Sequence, residues 1–172
     1  LIWCPGNGRE RIAGFIDQAN HKLVVQNERF QDPVIIERLV RAARRGVKVH
    51  VMTRSPHTLK QEKILEGVSG LRLLDDVGIK IHNVRHLHGK MLLADHARAI
   101  VGSINFAPGS FDDRRELAIA VSDEAIVQRL KQTVRIDWEH SSAMDLTDQG
   151  LMANFKERTE GVDLSNHCKK NA

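Results

Sequence analysis

The chain has 172 residues, enough for one domain with its own core and too short for two ordinary ones. Its 26 Lys and Arg exceed its 22 Asp and Glu, a formal charge of +4 with nine histidines uncounted; the surface leans basic without the dense runs of a nucleic-acid tail, and phosphates, polyanions or an anionic membrane surface suit it. No apolar run reaches the roughly 18 residues that span a bilayer, and the two cysteines, Cys4 and Cys168, make no disulfide framework.

Ile12, Phe15, Ile16 and Ala19 recur at helical spacing after the turn-like Pro5-Gly6-Asn7-Gly8, and residues 22 to 26 read as a short buried strand. Asp32 and Pro33 supply an N-cap and an N1 proline for a helix carrying Val34, Ile35, Leu39, Val40 and Ala43. Gly46 stops it, and residues 47 to 51 alternate as the next strand. Residues 53 to 62 are polar around Pro56 and read as a loop, and residues 63 to 76 as a looser helix interrupted near Gly67 and Gly70. Strands follow at 79 to 82, 90 to 94, 99 to 102 and 116 to 121, with a turn at Asp95-His96 and another at Pro108-Gly109. Ser122-Asp123-Glu124 caps a helix running to about Trp138, with Ile126, Leu130 and Val134 on one face. Beyond residue 141 the periodicity is lost apart from a short helix near 148 to 158, and the ending SNHCKKNA reads as disordered. This order predicts an α/β domain over residues 1 to 140, an α+β sandwich with a mixed β-sheet flanked by helices, followed by an extension over 141 to 172.

In the strand at 90 to 94, period two puts His88, Lys90 and Leu92 on one face and Met91 and Leu93 on the other. Ser103 and Asn105 share a face just past the next strand, where a loop presents side chains to a ligand, and Gly102 suits a close backbone approach. A lone histidine in a strand is ordinarily structural. The six positions H-x-K-x(4)-D-x(6)-G-S-x-N in one stretch are too improbable together for that reading.

His88, Lys90, Asp95, Gly102, Ser103 and Asn105 resemble the complete HKD signature of the phospholipase D superfamily, with no substitution. The resemblance extends over roughly residues 1 to 140 through Asp32-Pro33-x-Ile-Ile, Ala42-Ala43-Arg44-Arg45-Gly46-Val47-Lys48-Val49 and Asp137-Trp138. It implies a phospholipase D-like fold and metal-independent phosphodiester chemistry through a phosphohistidine on His88, with no cofactor. Lys90 and Asn105 would hold the phosphate oxygens, Ser103 would be a weaker phosphate or structural contact, and Glu116 would orient the histidine. Asp95 is expected to stabilise the turn or its hydrogen-bond network. The family reaction uses two histidines and this stretch supplies one. Either two copies pair as a homodimer with both His88 side chains in one cleft, or the chain is half of a longer two-motif protein, which its start at Leu1 favours for the native gene.

Competing readings follow from the same residues. His82, His86 and His88 suggest a metal cluster, but no cysteine or carboxylate at ligand spacing accompanies them and Lys90 would repel a cation. Arg41, Arg44, Arg45 and Lys48 suggest a nucleic-acid patch, yet are more simply an exposed helix face with favourable charge at its C-terminus, equally able to meet anionic lipid as a peripheral contact. As substrate, a phospholipid undergoing head-group hydrolysis or phosphatidyl transfer is preferred, because residues 103 to 121 look like the cardiolipin-synthase and phospholipase branch. A homodimeric endonuclease acting on DNA or RNA is the alternative, supported by the one-motif length and the basic charge, while the absence of tyrosine and the few aromatics leave little for base stacking. A phosphate-binding scaffold without catalysis is the third, and the intact motif argues against it.

Overall fold

The computed structural model describes residues 1–56 and 64–153. In chain order these form β1 (Ile2–Cys4), α1 (Gly8–Asp17), β2 (Lys22–Gln26), α2 (Pro33–Arg44), β3 (Lys48–Thr53), α3 (Ile64–Asp75), β4 (Lys80–Asn83), β5 (Lys90–Ala94), β6 (Arg98–Gly102), α4 (Pro108–Asp112), β7 (Glu116–Val121), α5 (Glu124–Glu139) and β8 (Ser142–Ala143). The strands make one mixed sheet in the order β1-β7-β6-β5-β2-β3-β4-β8, the α/β architecture that the sequence pattern predicts. β2, β3 and β4 run parallel through helical crossovers, whereas β5, β6 and β7 form an antiparallel meander closed at its edge by β1.

Strand alternation sorts the core into two layers. Leu23, Val25, Val49, Val51, Ile81, Leu92 and Ile100 face the layer that α1, α2 and α3 cover. Val24, Met52, Leu93 and Ala99 face the other side, against Val127 and Val134 of α5. Both faces of the central strands are therefore dry, which is why β5 is buried at every position instead of alternating. Residues beyond 140 join this body: β8 pairs with β4 and Leu146 lies in the core.

The caps form where the sequence places them. The Asp32 side chain accepts from the Ile35 amide at 3.1 Å with Pro33 in the first turn, and Asp123 does the same for α5 through Ile126 at 3.0 Å. Gly46 follows α2 in a left-handed conformation, φ 90°, which a side chain would resist. Arg9 extends the first cap into a clamp, bonding Asp32 at 3.0 Å and both carboxylate oxygens of Asp112 at 2.8 and 2.7 Å, so α1, α2 and α4 share one guanidinium.

Three elements lack a signal in the sequence. β1 and β8 are too short to show a period, and α4 begins at Pro108-Gly109, where the dipeptide reads as a turn although proline is also a favoured first helical residue. The loop predicted at 53 to 62 and the helix predicted at 148 to 158 fall partly outside the described residues, and the ending SNHCKKNA wholly so; residues 148 to 153 are helical.

The far end of α5 is fixed by aromatic stacking. The Trp138 ring lies on His82 at 3.7 Å and beside His50 at 4.6 Å between centroids, with interplanar angles of 18° and 17°. Asp137 accepts from the buried Gln26 amide at 2.6 Å, tying the helix to β2. Burial, with Lys22, Lys80, His82 and Lys48 nearby, pushes the His50 imidazole down to about 4. The folded state thus binds this proton less readily than the unfolded chain, so its contribution to stability is complete above the ordinary histidine value of 6.5 and is lost as pH falls toward 4. Thermal melts across that window are expected to show a falling midpoint in the wild type and a shallower fall in His50→Gln; superimposable profiles would rule out the neutral stack as the source.

Candidate active site

The carboxyl ends of β2 and β3, the start of β5, the end of β6 and the start of β7 meet at one edge of the sheet, bringing Glu28, Arg54, His88, Lys90, Ser103, Asn105 and Glu116 to a common region. Two loops there are joined by Asn27, which is fully buried. Its amide nitrogen donates to the Ile104 carbonyl at 3.0 Å, and its oxygen accepts from the Phe106 and Arg29 amides at 3.2 and 3.1 Å. The Phe106 carbonyl accepts from the Gln31 and Asp32 amides, and Phe30 meets Phe106 edge to face at 5.6 Å. This zip fixes Asn105 beside Glu28. The Asn105 Oδ1 is buried with no hydrogen-bond partner among the described residues, and the side chain lines a cavity together with Glu28.

Lys90 is 7% exposed. Its ammonium donates to Glu28 Oε2 at 2.9 Å and to the His88 carbonyl at 2.7 Å, leaving one of its three protons for a further acceptor. Glu28 also meets Arg54 at 3.3 Å and stands 3.6 Å from His88 Nε2. Burial opposes ionisation of Glu28, but Lys90, His88 and Arg54 outweigh it and hold the carboxyl below its ordinary value. His88 itself precedes β5, and its side chain is 83% exposed. The result is a fixed cation, an amide side chain and an accessible imidazole on one rim, a set that can meet a tetrahedral oxyanion.

Of the other predicted residues, Gly102, Ser103 and Glu116 lie at this edge and Asp95 at the opposite end of β5. Gly102 pairs with Lys90 on one side and Ala118 on the other, and a Cβ there would stand 2.3 Å from the Leu117 carbonyl oxygen. The Ser103 hydroxyl accepts from the Leu117 amide at 3.2 Å, extending the ladder between β6 and β7. Glu116 sits opposite Cys4 and makes no side-chain hydrogen bond or ion pair among the described residues. Asp95 lies at the far end of β5 in a left-handed turn, φ 53°, where it accepts from the backbone amides of Asn20, His21 and Lys22 at 3.0, 2.8 and 3.0 Å. Burial works against its charge, yet those three donors prevail and keep its carboxyl below the usual range. His82, from the metal reading, is stacked on Trp138 and bonded to Ser141 at 2.6 Å; no three His, Cys, Asp or Glu among the described residues are grouped to hold a metal ion.

Glu28 is the site residue that motif reading misses. It lies outside the HKD stretch, and the available signal was positional: ligands of open α/β sheets bind beyond the carboxyl ends of parallel strands, and Asn27-Glu28 follows the first of them.

The fold is of the phospholipase D type, and this rim is its candidate site. Residues 12–138 match the family model described as cardiolipin synthase, PLD-like domain, and the chain belongs to that family within the phospholipase D superfamily. It is 26% identical over 129 residues to a phospholipase D of Rickettsia felis, covering 74% of this chain and 62% of that one, so the chain spans under two thirds of that relative. Its fold is similar to the phospholipase D family member Nuc of Salmonella typhimurium, with TM-score 0.75, 19% identity and coverage of 83% of this chain and 94% of that one. NucT of Helicobacter pylori is also similar, with TM-score 0.68, 16% identity and coverage of 78% and 89%.

Glu28→Gln removes the charge that balances buried Lys90 and is expected to cost about 2–3 kcal/mol at neutral pH. Because the Glu28 pKa is depressed in the folded state, that advantage of the wild type exists above the ordinary carboxylate value and disappears as pH falls through the folded one. Denaturant melts of both proteins at neutral pH and at pH 3 check this; equal midpoints at neutral pH would contradict it.

Proposed function

We propose that this chain is a metal-independent phosphodiesterase that acts on phospholipid head groups, by hydrolysis or by phosphatidyl transfer. The observation that carries this reading is Lys90, a nearly buried ammonium held by Glu28, which also faces the exposed His88 and lines a cavity with Asn105. In the proposed sequence an imidazole nitrogen of His88 attacks phosphorus, and the bond from phosphorus to the leaving oxygen breaks. Lys90 and Asn105 stabilise the charge on the phosphoryl oxygens. Water or a second alcohol then displaces the histidine and restores it. Glu28 orients His88, Ser103 holds the strand end, and Glu116 is a second carboxylate at the same sheet edge available to orient a histidine. A lipid substrate is supported by the family description and by the name of the Rickettsia relative.

The leaving oxygen needs a proton, and the reading assigns it to the His88 of a second copy paired about a two-fold axis. A surface beside the site supports such pairing. On the outer face of the sheet Trp3 lies directly across from Leu117, with Leu1 and Ile119 adjoining, and all four are exposed, Leu117 by 59%. The backbone of Leu117 is the partner of Ser103, so this apolar patch abuts the motif. No helix among the described residues is long and apolar enough to cross a membrane, so contact with lipid is proposed as peripheral.

Vesicles of phosphatidylglycerol or phosphatidylcholine and plasmid DNA, each with and without chelator, test the reading. Lipid turnover insensitive to chelator is expected, lost by about a thousandfold or more in His88→Ala. Cleavage of plasmid alone would establish the endonuclease alternative, and undiminished turnover in His88→Ala would remove the mechanism.

Light scattering tests the pairing. Twice the chain mass is expected for the wild type, and a monomer with at least about tenfold lower turnover for Leu117→Glu; a fully active monomeric wild type would show that the cleft is not shared.

A further inference from the structure

Two cavities adjoin at the site. The smaller, of about 290 Å³, lies against Glu28 and Asn105 and has polar walls that include Arg29 and Arg114. Gln31, Glu66 and Pro108 line it and also line a second groove, of about 840 Å³, between α2 and α3. Apolar side chains dominate that groove: Phe30, Ile36, Val40, Leu73 and Val77. Its depth is set where α3 crosses the loop after β2, since a Cβ on Gly70 would stand 1.7 Å from the Phe30 carbonyl oxygen, so only glycine lets the helix come this near. The path outward from Asn105 and Glu28, the carboxylate that holds Lys90, is therefore polar first and apolar afterwards.

We propose that this groove holds an alkyl chain of the substrate while its phosphate lies at Lys90 and Asn105, an inference that rests on the lipid reading above. The volume falls within the range of small-molecule sites, and the polar-to-apolar order is that of an amphiphile. The charges point the same way. Among the described lining residues Glu66 and Asp76 stand against Arg44, and Glu37 is already paired with Arg38 and Arg41, so a polyanionic backbone continuing out of the site would meet no cationic wall there. An uncharged chain gains from every methylene it buries.

Binding can be read without turnover. Calorimetric titrations with inorganic phosphate and with butyl, hexyl and octyl phosphate below their micellar concentrations are expected to show affinity rising on the order of tenfold or more from butyl to octyl. Leu73→Glu, at a half-exposed helix position, is expected to abolish that dependence while inorganic phosphate binds as before. Leu65→Glu, exposed but outside the groove, is expected to keep it. Thermal melts of both variants would verify folding. Equal affinity along the series, or a dependence that survives Leu73→Glu, would overturn the groove. Failure of the lipid reading shows separately, as vesicles left unturned in the assay above.

Discussion

A single buried ion pair organises the edge of the sheet that carries the candidate site. An ammonium as enclosed as that of Lys90 is tolerated only with a matched anion and further acceptors, and Glu28 with the His88 carbonyl provides them. The pair joins residues 62 positions apart in sequence. It therefore requires that β2 and β5 be neighbours in the sheet and that the turn leaving β2 point its carboxylate inward. Everything at the rim inherits this constraint: His88 takes its place from the chain leading into β5, and Arg54 reaches the same carboxylate from the end of β3.

The surrounding fold supplies the rigidity such a pair needs. Asn27 and Phe106 zip the loop after β2 to the loop after β6, Arg9 ties three helices to one guanidinium, and Asp95 caps the opposite end of β5 through three backbone amides. The residues of the motif thus divide by position in space. Lys90 and Asn105 stand at the candidate-site edge, whereas Asp95 acts at the other end of the same strand, where it binds three backbone amides without approaching that edge. Gly102 leaves room for the neighbouring strand, and Ser103 gives its hydroxyl to the ladder. A compact signature in sequence is a mixture of chemistry and scaffolding once folded.

Much of the architecture was legible because it rests on local physics. Asp32-Pro33, Gly46 and Asp123 mark helix ends by hydrogen-bond demand and by φ preference, and the buried runs at 22 to 26 and 90 to 94 mark strands covered on both sides. β1, β8 and α4 were not legible, since two to five residues carry no period and become regular only when a neighbour pairs with them or a loop is pinned. The charged run 112 to 116 illustrates the same limit. Read alone it is a solvated stretch, yet Asp112 is held by Arg9 from the other end of the chain.

By itself the sequence determined the family, the mixed sheet and the motif residues, because spacing, capping and alternation are properties of neighbours along the chain. Only the tertiary structure decided that Glu28 is the carboxylate beside His88, that Asp95 stands away from the site, that Trp138 seats on two histidines, and that a polar cavity opens into an apolar groove. Each of these depends on segments brought together by sheet order, and contacts between distant segments leave no local pattern to read.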